Sequence, residues 1–186
     1  MRWLIGCAAA VVLVGAVTAC GGEATPPVAD EDEHHHHGDG TVAEGSGEFD
    51  IGLGGPVSLS GDFDAISYEV TYAVTGVTVV ETDDAGEPAA ENDVLLVAEV
   101  EITGFRGDHE AGPGNTDFVF SLLDAEGREY PRSDQVVAPE LVGTVEADQT
   151  LTGRVVFDVP ESAAESGSVR LAAEANGSDL LIDWEY

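Results

Sequence analysis

Lysine is absent from the 186-residue chain, and its six arginines stand against 37 aspartates and glutamates, a formal charge of −31. A chain so poor in cations cannot neutralise phosphates, so nucleic acid is excluded as a partner and anionic surfaces repel it. Cysteine is nearly absent too: Cys7 and Cys20 are the only two, both near the start. The one long apolar run, residues 4–17, is shorter than the roughly 20 residues needed to cross a bilayer core. Beyond residue 20 no segment keeps a helical period over a helix-sized window, which removes helical bundles and α/β folds. There is no G-x-S-x-G elbow, no phosphate-cradling glycine loop and no EF-hand spacing. Asp62 and Asp64 lack the glycine and the later glutamate that a calcium loop requires.

What the chain does have begins at its first residues. Arg2, the apolar run and a stretch of small residues are the parts of a secretory signal peptide. Val17-Thr18-Ala19-Cys20 follows and resembles the bacterial lipobox. The resemblance implies that the Cys20 thiol is alkylated by diacylglycerol and that the chain is cut just before it. The plainer alternative is a secretory signal that happens to end in a cysteine. A single acyl chain holds a protein only marginally, whereas two give stable attachment, because each buried methylene adds about 0.8 kcal/mol. With Cys7 discarded and Cys20 lipidated, no thiol remains for a disulfide or an active site. The expectation is a lipid-anchored protein on the outer face of the cell membrane.

Residues 1–19 are thus assigned to the signal peptide and 20–55 to a tether. Residues 21–50 carry nine acidic side chains and no Lys or Arg, with repeated Gly, Pro and Ala and few apolar groups. Such a segment buries too little surface to offset its chain entropy, and its like charges extend it, so it is expected to be a disordered acidic spacer. Inside it His34, His35, His36 and His37 stand in a row beside Asp and Glu. Imidazole suits zinc and copper, and carboxylates add attraction, but a flexible tract supplies neither fixed geometry nor groups to orient the rings. The run is therefore either a solvated spacer or the chain's metal site.

From residue 56 to 186 the pattern becomes that of strands. Ile66, Tyr68, Val70, Tyr72 and Val74 alternate with polar or small residues. The phase then flips past Gly76, so that Val77 and Val79 take over, which predicts a bulge. Leu96, Ala98, Val100 and Ile102 alternate with Val97, Glu99, Glu101 and Thr103. Phe118, Phe120 and Leu122 run up to the turn-like "DAEG". Leu151, Val155, Phe157 and Val159 are stopped by Pro160. Val169 and Leu171, then Leu180, Ile182 and Trp184, complete the set. Seven to nine short strands, each with one apolar face, predict an all-β, immunoglobulin-like antiparallel sandwich. The Gly-, Pro- and acid-rich stretches 82–93, 104–116 and 133–148 are its rims.

"NDVLLVAEVEITG", "FVFSLLDAEGREYP" and "TLTGRVVFDVPESA" occur in the order and spacing of a known lipoprotein domain. The chain resembles the telokin-like, immunoglobulin-fold domain of unknown function found in many Gram-positive, especially actinobacterial, lipoproteins. The resemblance spans roughly residues 56–186, and its most specific part is Gly153 to Pro160. Where the family's first strand ends in Asn, this chain has Thr103-Gly104, so the following loop is expected to differ. The resemblance implies a fold and a location and brings no catalytic residues.

Within the domain His109 lies in a Gly- and Asp-rich stretch and is expected to be a solvated loop histidine. Arg106-Gly107-Asp108 matches the integrin-recognition tripeptide, a short sequence that recurs by chance. Tyr68, Tyr72 and Trp184 are in phase with core residues. The acid excess keeps a protein soluble at high ionic strength, or else collects calcium loosely at the cell wall. The sequence is therefore that of a surface lipoprotein without enzymatic machinery, a binding or structural module for an extracytoplasmic protein or cell-wall partner. The alternative is a metal-handling lipoprotein that captures zinc or copper through His34, His35, His36 and His37.

Overall fold

The computed structural model describes residues 41–42, 47–63, 66–175 and 178–186. The stretch expected to be a signal peptide, Cys20, the four adjacent histidines and most of the expected tether lie outside the described residues. The strands are β1 (Thr41–Val42), β2 (Gly47–Gly52), β3 (Val57–Phe63), β4 (Ile66–Val80), β5 (Val94–Arg106) and β6 (His109–Ala111). They continue as β7 (Phe118–Asp124), β8 (Glu129–Pro131), β9 (Gly143–Val145), β10 (Thr150–Val159), β11 (Gly167–Ala175) and β12 (Ser178–Glu185). One short 3-10 turn, Glu161–Ala164, follows Pro160, which ends β10 as the sequence predicts.

Two five-stranded sheets pack as an immunoglobulin-like sandwich. The first runs β1-β3-β4-β5-β10, the second β2-β12-β11-β7-β8, and β6 and β9 form a small separate ribbon. The pairings are antiparallel except at two edges, where β1 lies parallel to β3 and β2 parallel to β12. The core between the sheets is the alternating apolar set: Val70, Tyr72 and Val74 from β4, Val100 and Ile102 from β5, Phe157 from β10 and Trp184 from β12 are all buried. The phase flip at Gly76 is a true bulge, since the register to β5 slips between Val74 and Gly76. Past it Val77 packs on the core, while Val79 is half exposed.

Two expectations need correction. The sandwich takes in residues before Pro56: β2 pairs with β12 from Gly47 to Gly52, and Phe49 and Ile51 pack against the core. Arg170 of β11 holds this strand from outside, its guanidinium bonded to both Asp183 oxygens (2.8 and 2.5 Å) and to Glu48 (2.5 Å), one cation spanning three strands. An edge strand that pairs in parallel with the chain's last strand has no local signal beyond two apolar residues among acids. The other correction concerns the outer face of β5. Val97 does not face solvent as Glu101 does; with Leu95 and Val156 it forms a second buried cluster, covered by Val80, Ala89 and Val137. The acidic loops after β4 and β8 are thus a cover over one sheet as well as a rim.

Candidate binding cleft

The chain carries its acids to particular uses in this cover. Asp158 on β10 accepts the backbone N–H groups of Ala90, Glu91 and Asn92 at 2.7–2.8 Å. Asp83 accepts those of Ala85 and Glu87, and Asp84 that of Ala138. Gly153 of β10 lies so close to the next chain segment that a Cβ there would sit 2.5 Å from the Leu141 Cα. The motif from Gly153 to Pro160 is therefore structural: a close approach at Gly153, core side chains at Phe157 and Val159, a loop anchor at Asp158 and a strand stop at Pro160.

The "DAEGREY" hairpin is built in the same way. Asp124, buried at the end of β7, accepts the N–H groups of Glu126 and Arg128, the Arg128 Nε at 2.8 Å and the Tyr130 hydroxyl at 3.1 Å. Burial pushes its carboxyl up, but the Arg128 N–H, the Tyr130 hydroxyl and the Arg128 charge outweigh this and hold it below the usual carboxylate range. Gly127 closes the turn at φ +77°, where a side chain would be strained.

Between β7, the loop after β6 and the segment around Leu141 lies a cleft of about 600 Å³. Its floor is apolar, with Tyr72, Ile102, Phe118, Phe120 and Leu141, and its rim is polar, with Glu110, Thr116, Glu129 and Asp134. Behind the same loop a second hollow of about 790 Å³ is lined by Tyr68, His109 and Phe118. The loop between them is fixed by Asn115, which donates from Nδ2 to the Glu110 carbonyl at 2.7 Å and receives the Asp117 N–H at 3.0 Å.

His109 is not the solvated loop residue expected. It lies on β6, buried, with Nε2 hydrogen-bonded to the Tyr72 hydroxyl. Its ring meets Phe118 edge-on at 4.6 Å and Tyr72 at 5.6 Å between centroids. Burial lowers its pKa to about 4 despite the nearby Glu110, and burial raises that of Tyr72 well above its ordinary value. At neutral pH this is a neutral imidazole tied to a protonated phenol. A three-residue strand pinned under a tyrosine from another sheet is invisible to local patterning, which is why the sequence shows only a polar loop.

The other singled-out residues fall as follows. Trp184 is a fully buried core side chain, and Tyr68 and Tyr72 face inward. Arg106-Gly107-Asp108 forms the turn from β5 to β6, with Gly107 at φ +68° and only 2.7 Å available between its Cβ position and the Ser67 carbonyl. Among the described residues no three His, Cys, Asp or Glu side chains converge to hold a metal. His34, His35, His36 and His37 lie outside the described residues.

No family model matches the chain, and no curated protein matches it. Among solved structures the chain is similar to MPT63, a secreted protein from Mycobacterium tuberculosis, with a TM-score of 0.53 and 20% sequence identity. The match covers 75% of this chain and 98% of that one. At that identity the likeness is one of fold.

Proposed function

We propose that this protein is a lipid-anchored extracytoplasmic binding module whose ligand site is the cleft between β7 and Leu141. The observation that carries the reading is the cleft itself. Ligand sites are typically concave, roughly 300–1,000 Å³, mostly apolar and edged by a few polar groups, and this cleft has that size and lining. The resemblance of Val17 to Cys20 to a lipobox and the likeness to a secreted protein support the location, and the sequence resemblance to the telokin-like lipoprotein domain agrees with both. His109, with its Nε2 engaged by Tyr72, positions β6 beneath the site and does no chemistry of its own.

Two measurements test this. A neutral apolar dye should gain fluorescence with the full chain and lose that gain in Thr116→Trp, which places an indole from the exposed rim into the cleft while leaving the melting temperature unchanged. A parent protein that gives no dye signal sinks the binding reading. Cys20→Ala should release the protein from the membrane fraction or leave an uncut precursor, compared by detergent extraction with the parent. A variant that remains lipidated and membrane-bound shows the anchor is elsewhere.

A further inference from the structure

The second sheet has an open edge inside this cleft. β7 is paired along its whole length with β11, from Phe118 opposite Ala173 to Asp124 opposite Gly167. On its other side β8 pairs only with residues 121–123. Pro131 ends β8, and the chain then leaves this sheet for the other one: Arg132 bridges to Phe157 of β10, and the Ser133 N–H bonds the Val156 carbonyl at 2.7 Å. Among the described residues no strand stands beside Phe118, Val119 and Phe120 on that side.

The direction of the free backbone groups follows from the strand's own alternation. The Asp124 N–H bonds the Arg128 carbonyl across the β7–β8 hairpin, while the Asp117 carbonyl bonds Glu174 on the β11 side. Successive residues of a strand point their N–H and C=O to opposite sides, so Leu122, Phe120 and Phe118 share the direction of Asp124. The pairing of Ser121 with Pro131, which has no N–H, uses the Phe120 carbonyl, so the Phe120 N–H and the N–H and C=O of Phe118 open into the cleft, a template for one more strand. Opposite them Ile102 and Leu141 offer an apolar wall for the side chains such a strand would turn inward.

From this we infer that the cleft accepts an extended segment of a partner protein as an added strand beside β7, and that the segment is apolar in its middle and flanked by Lys or Arg. This rests on the binding reading above and narrows its ligand. Charge selects the partner. Glu110, Glu129 and Asp134 edge the cleft, and the one cation there, Arg132, is already held by Glu140 at 2.7 Å. After residue 50 the chain has five arginines against 28 acidic residues, a formal charge of −23. Two copies so charged repel one another, and the chain's own acidic residues 21–50 are repelled by the same rim. A basic-flanked strand gains main-chain bonds from the edge and attraction from the rim, the two components of strand addition.

The test uses the full-length protein and a fluorescent synthetic peptide of alternating valine and threonine with lysines at both ends, followed by anisotropy at low salt. The peptide should bind saturably and displace the apolar dye. N-methylation of the amides on one edge should weaken it about tenfold or more, as should glutamate in place of the lysines. Equal affinity of the methylated and parent peptides would reduce the interaction to charge attraction and overturn the proposal. A dye that binds while no peptide does overturns the strand proposal and leaves the cleft reading standing; loss of both removes the reading itself. Self-association in sedimentation that Thr116→Trp abolishes would assign the edge to a second copy instead. If Thr116→Trp does not fold, dye displacement and self-association blocked by excess peptide decide the same points on the parent protein.

Discussion

Trp184→Ala is expected to lower the stability of the domain by about 3–5 kcal/mol, the range for truncating a buried aromatic. Trp184 is fully buried on β12, between Val169 of β11 and Ile51 of β2. Its indole Nε1–H donates to the Gly55 carbonyl at 2.8 Å. Gly55 lies on the passage from β2 in one sheet to β3 in the other, and it is packed so closely that a Cβ there would meet Ile51 at 2.3 Å. Truncation therefore opens a cavity and also leaves the Gly55 carbonyl without its donor at the point where the chain changes sheets. Trp184→Phe keeps most of the volume but not the donor, and should cost about 1–3 kcal/mol. Urea unfolding should show a lowered midpoint with an unchanged slope in both variants. A loss below about 1 kcal/mol for Trp184→Ala would mean that this end of the core collapses around the gap.

The same tryptophan shows what was legible beforehand. Its phase with Leu180 and Ile182 marks it as a core residue, because a half-buried strand writes its facing into alternation. The slip at Gly76 was legible for the same reason, since a bulge is a local change of phase. Local pattern fails where a tertiary partner decides. Phe49 and Ile51 are too few to announce a strand, yet β12 and Arg170 make β2 one. Val97 follows the outward phase of Glu99 and Glu101, but two loops fold over it. The cleft was hidden more deeply still. It exists because the chain abandons β7 after a three-residue strand, and only Pro131 hints at that departure. Nothing in the order of residues says that Leu141 returns to face Phe120. The stretches "DAEGREY" and Gly153 to Pro160 specify a hairpin and a close approach, so they report on the fold and carry no signal about the ligand.

His109 sets the second large effect, a loss of stability in mild acid. In the unfolded chain its imidazole takes up a proton near pH 6.5; in the folded protein burial delays this to about 4. Between those values the unfolded state binds more protons, so lowering the pH favours unfolding. The stabilisation due to this group is fully present above pH 6.5 and is lost as pH falls to about 4, with a ceiling of about 3 kcal/mol. The groups around the ring explain why the charge is unwelcome there. Tyr68, Tyr72 and Phe118 surround it, and Glu110 on the same strand only partly offsets their effect. Other carboxylates contribute a background of their own: Asp124, held below the usual range, releases its share of stability only in stronger acid. The comparison that isolates His109 is therefore the parent against the double variant Tyr72→Phe, His109→Phe. Removing both partners leaves no buried polar group unpaired, so the pair should have similar stability at pH 7. On titration from pH 6.5 to 4.5 the parent should lose about 2–3 kcal/mol more than the double variant in urea unfolding. Two curves that fall in parallel would show that His109 already meets water and takes its proton as easily folded as unfolded.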